Sequence, residues 1–324
     1  MNLNELKPII VLCCDENYFI PAMVCIGSAV KNCPEPLKIH IIIPATDYLL
    51  KDKFLKFKDI NNLDLEVIIA PAGRFESWRQ NSYISKAAYL RLLIPELIQA
   101  KKAIYLDCDI LVQKNISELY NIDLGDYYIG GVEDYSGPGG PYRKIKVEID
   151  GVYINSGVLL MNIEKMREDN FYTKCIEIQK IVHENSNFAD QCIINKYADG
   201  KKMILKDEWN FQVMHRDVYI HNWSCIRNRA KIIHFVGSVK PWSSGANPLI
   251  ERHWKKYTKL IRILRQEKKF SKGNIKFVLN WHLKILWRCY ILIRYHLKRD
   301  KLSTFTLNDT GDKLIIGRSL KINE

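Results

Sequence analysis

Short runs of hydrophobic residues alternate, over the first two thirds of the chain, with longer segments that have a helical spacing of hydrophobic residues. The short runs are rich in Ile, Val and Leu and predict strands that are covered on both faces. They are Ile9–Cys13, Ile39–Ile43, Leu65–Ile69, Ala103–Leu106, Tyr128–Val132, Val152–Asn162 and Lys231–Phe235. The longer segments predict helices over residues 21–32, 47–60, 85–100, 164–183 and 188–198. This alternation favours an α/β fold with a mainly parallel central sheet flanked by helices, in which ligands bind beyond the carboxyl ends of the strands.

The C-terminal part of the chain differs from the rest in charge. Residues 252–301 hold sixteen of the 49 Lys and Arg residues but only two of the 36 Asp and Glu residues, and the whole chain has a net charge of +13. A helical wheel of residues 280–299 gathers most of the basic side chains on one side, and the uncharged runs there are too short to span a bilayer. We therefore expect residues 271–300 to form a basic, Trp-rich amphipathic helix that lies on an anionic membrane surface.

The same charge division, in a chain of 324 residues, predicts an α/β domain over residues 1–263 and a basic helical appendage over residues 264–324. Two other interpretations of the appendage remain open. It could be a helical hairpin packed on the core, or it could bind nucleic acid, with its basic residues on phosphates and its tryptophans stacked on bases. Because the rest of the chain is nearly neutral, we do not expect a nucleic-acid partner.

The cysteines indicate the redox setting. There are nine, an odd number, and no CxxC pair occurs, which favours a reducing compartment. The one apolar run near the N-terminus, Pro8–Cys14, is too short for a signal peptide and is followed by Asp15. These observations predict a cytoplasmic protein.

Two carboxylates, Asp107 and Asp109, directly follow the predicted strand Ala103–Leu106. In an extended chain, residues two apart lie on the same face. Like charges so close together repel each other unless a cation lies between them. A hard divalent cation with free positions for phosphate oxygens would meet that need. The alternative is that two surface aspartates follow a strand by chance.

A second group of candidate residues, His234, Gly237 and Lys240, lies at the end of the last predicted strand and just after it. Glycine permits close approach of the backbone to a ligand, and lysine is a compact cation suited to phosphate. The histidine could complete a metal site that the two carboxylates begin. Alternatively, it is a structural histidine at the end of a strand.

Further polar residues follow other predicted elements. Asp15 and Asn17 come after the first strand, Asn155 lies in a Tyr-Ile-Asn-Ser-Gly stretch, and Asp190 and Gln191 open a predicted helix. Their side chains could bind a nucleoside or sugar hydroxyls. Each could equally be a turn residue or favour a helix start. No GxGxxG or GxxxxGK[ST] motif is present, so dinucleotide and P-loop chemistry lack their usual signature.

Taken together and in order, these stretches resemble glycosyltransferase family 8, the family of bacterial lipopolysaccharide galactosyl- and glucosyltransferases. The similarity runs from about residue 8 to about residue 263. The matching stretches are CCDENY, AAYLRL, AIYLDCDILV, YINSGVLLMN, FADQCIIN and HFVGSVKPW. The resemblance implies a GT-A fold, a UDP-hexose donor, a bound Mn²⁺ or Mg²⁺ ion and transfer with retention of the anomeric configuration.

The resemblance also implies roles for the metal and phosphate side of the site. Asp107 and Asp109 are the carboxylates of the family's DxD motif and would hold the metal. His234 would complete the protein's share of its ligands. Gly237 and Lys240 would contact the diphosphate of the donor.

For the nucleoside, the resemblance places Asp15 and Asn17 against uridine and Cys13 against the base. Cys108, the central residue of the DxD motif, belongs to the same donor-binding set. The Cys-Cys pair before Asp15 departs from the small residues usual in the family, but cysteine has a similar size.

For the donor sugar, the resemblance assigns Arg91, Asn155 and Asp190 to its hydroxyls and places Gln191 near the anomeric carbon. Double displacement with retention needs a strong carboxylate nucleophile. An amide is a poor nucleophile, so we favour front-face substitution in which Gln191 stabilises an oxocarbenium-like centre. Asp190 and Gln191 are therefore the predicted catalytic residues.

The acceptor side is the least defined by the sequence. The segment Ser136–Asp150 matches the family weakly, and Asp134 just before it is a candidate acceptor contact. The family's bacterial members suggest a saccharide or glycolipid acceptor, as in lipopolysaccharide, and attachment to the inner face of the cell membrane. A hydrolase that cleaves sugar nucleotides without transfer is the remaining alternative.

Overall fold

The computed structural model describes residues 7–71, 73–75, 78, 86–135, 149–182, 189–214, 218, 220–243, 245–259 and 261. The predicted appendage over 264–324, with its membrane-facing helix at 271–300, lies outside the described residues. So does most of the segment Ser136–Asp150. The division at residue 263 therefore stays a prediction.

The described part of the chain is built around a central sheet. Its seven described strands are β1 (Ile9–Cys13), β2 (Lys38–Ile43), β3 (Asp64–Ile69), β4 (Lys102–Leu106), β6 (Ile129–Glu133), β7 (Ile154–Asn162) and β8 (Lys202–Ile204). They lie in the order β3-β2-β1-β4-β7-β6-β8. The first four are mutually parallel, β7 is antiparallel to both its neighbours, and β8 is parallel to β6. The predicted mainly parallel sheet is thus confirmed.

A second, smaller sheet stands beyond the end of β4. Its described strands are β5 (Ile110–Val112), β9 (Phe211–Gln212) and β10 (Ile232–His234). β10 lies in the middle, antiparallel to β5 and parallel to β9. The chain passes directly from β4 to β5, so the short connection between them joins the two sheets.

Helices connect and cover the strands. The described α-helices are α1 (Phe19–Asn32), α2 (Tyr48–Asn61), α3 (Ile94–Leu97), α4 (Ser117–Tyr120), α5 (Ile163–Glu168), α6 (Phe171–Val182), α7 (Ala189–Tyr197), α8 (Ile220–Arg229) and α9 (Pro248–Thr258). Short 3₁₀ helices occupy Glu16–Tyr18, Ala45–Asp47, Lys86–Leu93 and Asp207–Asn210. No helix of this described set is long and apolar enough to cross a membrane.

The core lies on both faces of the central sheet. Along β1 and the residue after it, Ile10, Leu12 and Cys14 pack into one hydrophobic cluster, whereas Val11 and Cys13 pack into the other. Because successive side chains of a strand point to opposite faces, a strand covered on both sides must be apolar throughout. This explains the continuous hydrophobic runs. The eight cysteines within the described ranges are free thiols.

Two predicted helices differ from the structure. The segment 85–100 is a 3₁₀ helix over Lys86–Leu93 followed by α3, which begins beside Pro95. Proline is accepted in the first turn of a helix but disrupts its interior, so a single long helix is disfavoured there. The segment 164–183 is divided into α5 and α6 at Asn170, whose φ of 54° ends the first helix. The short strands β5, β8 and β9 and helices α4, α8 and α9 were not predicted.

Candidate active site

The carboxyl ends of β1 and β4 define the edge at which the candidate residues gather. These two strands are parallel neighbours, with Ile10 opposite Ile104 and Val11 opposite Tyr105. Their following residues therefore emerge at the same edge of the sheet. In α/β sheets this is the position at which ligands bind.

Asp107 and Asp109 lie in the connection between β4 and β5, at the junction of the two sheets. The backbone N–H of Asp107 donates to Gly157 O at 2.8 Å, and Asp109 O accepts from the N–H of Phe235 at 3.1 Å. The backbone of Asp107 is thus anchored to the central sheet, and the backbone of Asp109 is anchored beside the end of the smaller sheet. The residues form a turn rather than an extension of the strand. The predicted convergence of the carboxylates is observed, but the predicted reason, a shared strand face, is wrong.

His234, the last residue of β10, lies against both carboxylates. Its Nε2 is 3.3 Å from Asp109 Oδ1 and 3.8 Å from Asp107 Oδ2. The three side chains offer ligand atoms that all lie within 4.8 Å of one another. Two carboxylate oxygens and an imidazole nitrogen suit a divalent ion such as Mn²⁺ or Mg²⁺.

Lys240 adds a positive charge beside the carboxylates of this cluster. Its ammonium forms an ion pair with Asp109 Oδ2 and donates to Phe235 O at 2.8 Å. Burial by itself would raise the pKa of Asp109, but Lys240 and His234 outweigh burial and hold that pKa well below its ordinary value. Asp109 is therefore an ionised, buried carboxylate. Gly237, between His234 and Lys240, is exposed and has a φ of 86°, a conformation that favours glycine.

Arg91 joins this cluster to a second group of polar residues. Its Nη2 donates to Asp107 Oδ1 at 2.9 Å, and its Nη1 donates to Ser156 O at 2.8 Å. Its guanidinium lies over the ring of Tyr105, 4.5 Å from the ring centre. Burial opposes the positive charge, but Asp107 and Asp190 raise the pKa of Arg91 further above its ordinary value. One fixed cation is thus shared between two carboxylates.

Asp190, at the start of α7, is the second carboxylate beside Arg91. Its Oδ2 is 3.0 Å from Arg91 Nε, whose hydrogen is directed at Ala88 O instead. Among the described residues, this buried Oδ2 receives no hydrogen bond. The pKa of Asp190 is raised to about 6. Burial is the main cause, Arg91 opposes it without cancelling it, and the charge of Asp107 adds to the rise. The side chain is an acceptor in need of a donor.

A buried network of amides lies next to Asp190. Gln191 Oε1 accepts the backbone N–H of Ser156 at 3.0 Å, and Gln191 Nε2 donates to Asp134 Oδ2 at 2.7 Å. Asn155 Nδ2 donates to the same Asp134 oxygen at 3.3 Å. Gln191, Asn155 and Asp134 are therefore brought together with fixed orientations.

The predicted nucleoside residues lie at the end of β1. Asp15 Oδ1 accepts from the N–H groups of Asn17 and Tyr18 at 3.0 and 3.2 Å, so one carboxylate oxygen caps the short helix Glu16–Tyr18. Cys13 is buried, which raises the pKa of its thiol. Its carbonyl accepts a hydrogen bond from the thiol of Cys108 at 3.3 Å. This contact links the β1 end to the Asp107–Asp109 turn.

Four residues of the site were not predicted: Ser156, Tyr105, Tyr18 and Asn210. Tyr105 donates to Asp107 Oδ1 at 2.6 Å, and its position two residues before Asp107 could have suggested this. Burial, followed by the charges of Asp109, Cys108 and Asp107, raises the pKa of Tyr18, which therefore stands near the carboxylate pair. Asn210 belongs to none of the recognised stretches, and only the structure brings it to the site.

Comparison with known proteins agrees with this geometry. A family model described as glycosyl transferase family 8 matches residues 9–246. General stress protein A of Bacillus subtilis is 28% identical over 277 residues, covering 77% of this chain and 93% of its own. A putative glycosyltransferase of Haemophilus influenzae is 30% identical over 240 residues, covering 70% and 71%.

The solved structures support the fold. Galactosyltransferase LgtC, in complex with donor and acceptor sugar analogs, is similar with a TM-score of 0.66 at 20% identity. The match covers 84% of this chain and 99% of LgtC. The described residues thus have the GT-A fold that the resemblance implied. Since the family model covers more than half of the sequence, this chain belongs to glycosyltransferase family 8.

Proposed function

We propose that this protein transfers a hexose, galactose or glucose, from a UDP-sugar to a saccharide acceptor with retention of the anomeric configuration. One observation carries the proposal. Asp107, Asp109 and His234 converge at the end of the sheet, and Arg91 connects them to Asp190. A cluster suited to a metal and diphosphate thus lies directly beside a cluster suited to sugar hydroxyls.

The residues present fit a divalent metal. Asp107 and Asp109 supply carboxylate oxygens, and His234 supplies Nε2, all within 4.8 Å of one another. When bound there, Mn²⁺ or Mg²⁺ would act as a Lewis acid that stabilises the negative charge on the departing UDP. Asp109 is held ionised by Lys240 and His234, so it is ready to act as a ligand.

Lys240 stabilises the same developing charge from the protein side. Its ammonium is paired with Asp109, and a diphosphate oxygen would compete for it. Gly237, exposed and without a side chain, lets the backbone approach the diphosphate. Fixed positive groups of this kind lower the barrier because they need little reorganisation during the reaction.

The donor sugar would lie against Arg91, Asp190 and Asn155. Asp190 Oδ2 lacks a hydrogen-bond donor among the described residues, so a sugar hydroxyl would satisfy it. We assign the nucleoside to the carboxyl end of β1, where it would contact Asp15, Asn17 and Cys13 together with Cys108. Asp134 marks the start of the acceptor side.

We favour front-face substitution with Gln191 beside the anomeric carbon. The side-chain amide is held at both ends, by Ser156 and by Asp134, and an amide is a poor nucleophile. Its role would be to stabilise the oxocarbenium-like centre. A glycosyl adduct trapped on Asp190 in a mass spectrum would contradict this mechanism.

The acceptor and the location of the enzyme are proposed from the sequence alone. A lipopolysaccharide or another cell-surface glycan is our proposed acceptor, reached from the inner face of the cell membrane through residues 271–300. The division into a catalytic domain over 1–263 and an attachment segment over 264–324 belongs to the same proposal. Cosedimentation of the full chain and of a chain ending at residue 270 with anionic liposomes tests it, and equal binding would contradict it.

The experiment that tests the proposed function measures UDP release from a panel of UDP-hexoses, with Mn²⁺ and after chelation. We expect release with galactose or glucose as the donor, loss of release after chelation, and a fall of about 10²–10³-fold in Asp109→Asn. Asp126→Asn is the matched control, because it removes an exposed carboxylate on the surface. Analysis of the sugar product with and without an acceptor separates transfer from hydrolysis.

Two results would overturn the proposal. One is metal-independent release that survives in Asp109→Asn. The other is the absence of both UDP release and UDP binding, measured by calorimetry, in a folded protein.

A further inference from the structure

A fully buried amide, Asn210, stands behind the histidine of the candidate metal cluster. Asn210 closes the 3₁₀ helix Asp207–Asn210, just before β9, and has no exposed surface. Its Oδ1 is 3.0 Å from His234 Nδ1, and its Nδ2 donates to Asn155 Oδ1 at 2.9 Å. We propose that Asn210 is a positioning residue that holds the His234 ring with Nε2 directed at the metal ligands Asp107 and Asp109.

The orientation of the Asn210 amide follows from a backbone group. Asn155 Oδ1 accepts the N–H of Gly157 at 3.0 Å, so the atom of Asn155 at this point is an oxygen. The atom of Asn210 that faces this oxygen must then be the donor, Nδ2. The other end of the Asn210 amide, facing His234, is therefore the acceptor Oδ1.

This chain of bonds sets the tautomer of the imidazole. An acceptor beside Nδ1 favours a proton on Nδ1, which leaves the lone pair of Nε2 free for a cation. Nε2 is the nitrogen that lies 3.3 Å from Asp109 Oδ1. The Tyr-Ile-Asn-Ser-Gly stretch thus acts on the metal cluster through Asn210 as well as on the donor sugar.

The inference rests on the metal site of the proposed function, and its test measures metal binding without turnover. MnCl₂ alone is titrated into the full-length protein, and free Mn²⁺ is counted by electron paramagnetic resonance. Asn210→Leu removes the acceptor, and we expect the dissociation constant for Mn²⁺ to rise about 10–100-fold. Asn210→Asp keeps an oxygen toward Nδ1 and, with its buried carboxyl protonated, a donor toward Asn155 Oδ1, so it should recover most of the affinity.

Gln113→Leu is the matched control. Gln113 is also an amide bonded to a buried imidazole, with its Oε1 2.9 Å from His253 Nε2, but it follows β5 at the end away from His234. It should lose stability while keeping the affinity for Mn²⁺. Thermal unfolding of each variant confirms that the folded protein is being compared.

The outcomes separate the inference from the proposed function. If wild-type protein binds no Mn²⁺, the metal site fails and the inference fails with it. If wild type binds Mn²⁺ and Asn210→Leu binds it equally well, or if Asn210→Asp is as weak as Asn210→Leu, only the inference is overturned.

A second measurement needs no Asn210 variant, in case Asn210→Leu does not fold. A long-range ¹H–¹⁵N spectrum of the Zn²⁺-loaded wild type should show His234 protonated on Nδ1 and coordinated through Nε2. The signals of His234 are identified by comparison with His234→Gln. Coordination through Nδ1 would overturn the inference.

Discussion

Asp109 and Asp190 are both buried carboxylates beside a cation, yet their pKa values move in opposite directions. The pKa of Asp109 lies well below its ordinary value, whereas that of Asp190 is raised to about 6. Burial acts on both in the same sense, since it disfavours the charged form. The difference therefore comes from the charges around them.

Among the described residues, Asp109 is the one carboxylate with which Lys240 forms an ion pair. Lys240 pairs with it directly, and His234 approaches from the other side. Asp190 must share Arg91 with Asp107, and the negative charge of Asp107 also acts on it. The comparison teaches that the pKa values of neighbouring acids in one site can be shifted in opposite directions by how the cations are divided between them.

The opposite pKa shifts of the two carboxyl groups suit the two halves of the proposed reaction. An ionised carboxylate with a displaceable lysine is suited to a metal and a diphosphate. A buried carboxylate whose charge is poorly compensated is suited to neutral hydroxyls, which donate hydrogen bonds without adding charge. We call these halves the metal side, around Asp109, and the sugar side, around Asp190.

The largest effect is expected from Arg91→Met, which removes the cation that the two sides share. Breaking a buried ion pair by removing one partner typically costs about 3–5 kcal/mol of unfolding free energy. We expect a loss of that size at pH 7, because the buried Asp190 and the half-buried Asp107 would both lose their shared cation. Urea denaturation measures it.

Arg74→Met is the control for Arg91→Met. Arg74 also stacks over a tyrosine ring and pairs with a carboxylate, Glu96, but that pair is partly exposed. Exposed pairs contribute at most about 1 kcal/mol. Equal losses in the two variants would show that Arg91 does not hold the two sides together.

The features that could be predicted from the sequence are those that depend on local pattern. The buried strands around β1 and β4 were predicted because their side chains are apolar on both faces. The convergence of Asp107, Asp109 and His234 was expected from the resemblance to the family. These residues all lie at the end of a predicted strand or just after it.

The features that could not be predicted depend on long-range contacts. The bond between Asn210 and Asn155 joins residues 55 positions apart, and no pattern in the sequence relates them. Likewise, nothing local shows that Arg91 divides its guanidinium between Asp107 and Asp190. A short run such as β5 carries too few residues for a periodic signal, so the turn that carries the two carboxylates was taken for a strand end.

A pH series sharpens the contrast at Asp190. Below about pH 4 this carboxyl is protonated in both the folded and the unfolded chain, so its titration does not change the free energy of unfolding. Between its ordinary pKa of 3.8 and about 6, the folded chain holds the proton that the unfolded chain has lost. Stability should therefore fall as pH rises through this window, by up to about 3 kcal/mol relative to Asp190→Asn.

Asp169→Asn provides a comparison of opposite sign. Although burial opposes it, bonds from Lys174 and Tyr197 lower the pKa of Asp169, so its contribution is present at neutral pH and is lost on acidification. Urea denaturation from about pH 2 to about pH 7.5 covers both windows: wild type should lose stability relative to Asp190→Asn as pH rises above about 4, and relative to Asp169→Asn as pH falls below about 4. A pH-independent difference between wild type and Asp190→Asn would refute the raised pKa.

Gly157→Ala tests the metal side by crowding the imidazole. A Cβ at this position would lie 2.2 Å from His234 Cε1 and 2.6 Å from Nδ1, so the ring must leave its position beside Asn210. Overpacking of this kind costs about 1–3 kcal/mol. Gly131→Ala is the matched control, because its Cβ would lie 2.6 Å from Ile154 Cδ1, in the same sheet but against an apolar side chain. We expect both variants to lose stability in urea denaturation, but only Gly157→Ala to lose affinity for Mn²⁺.

If the affinity for Mn²⁺ falls equally in both variants, packing of the sheet as a whole, rather than the position of the His234 ring, controls metal binding on the metal side.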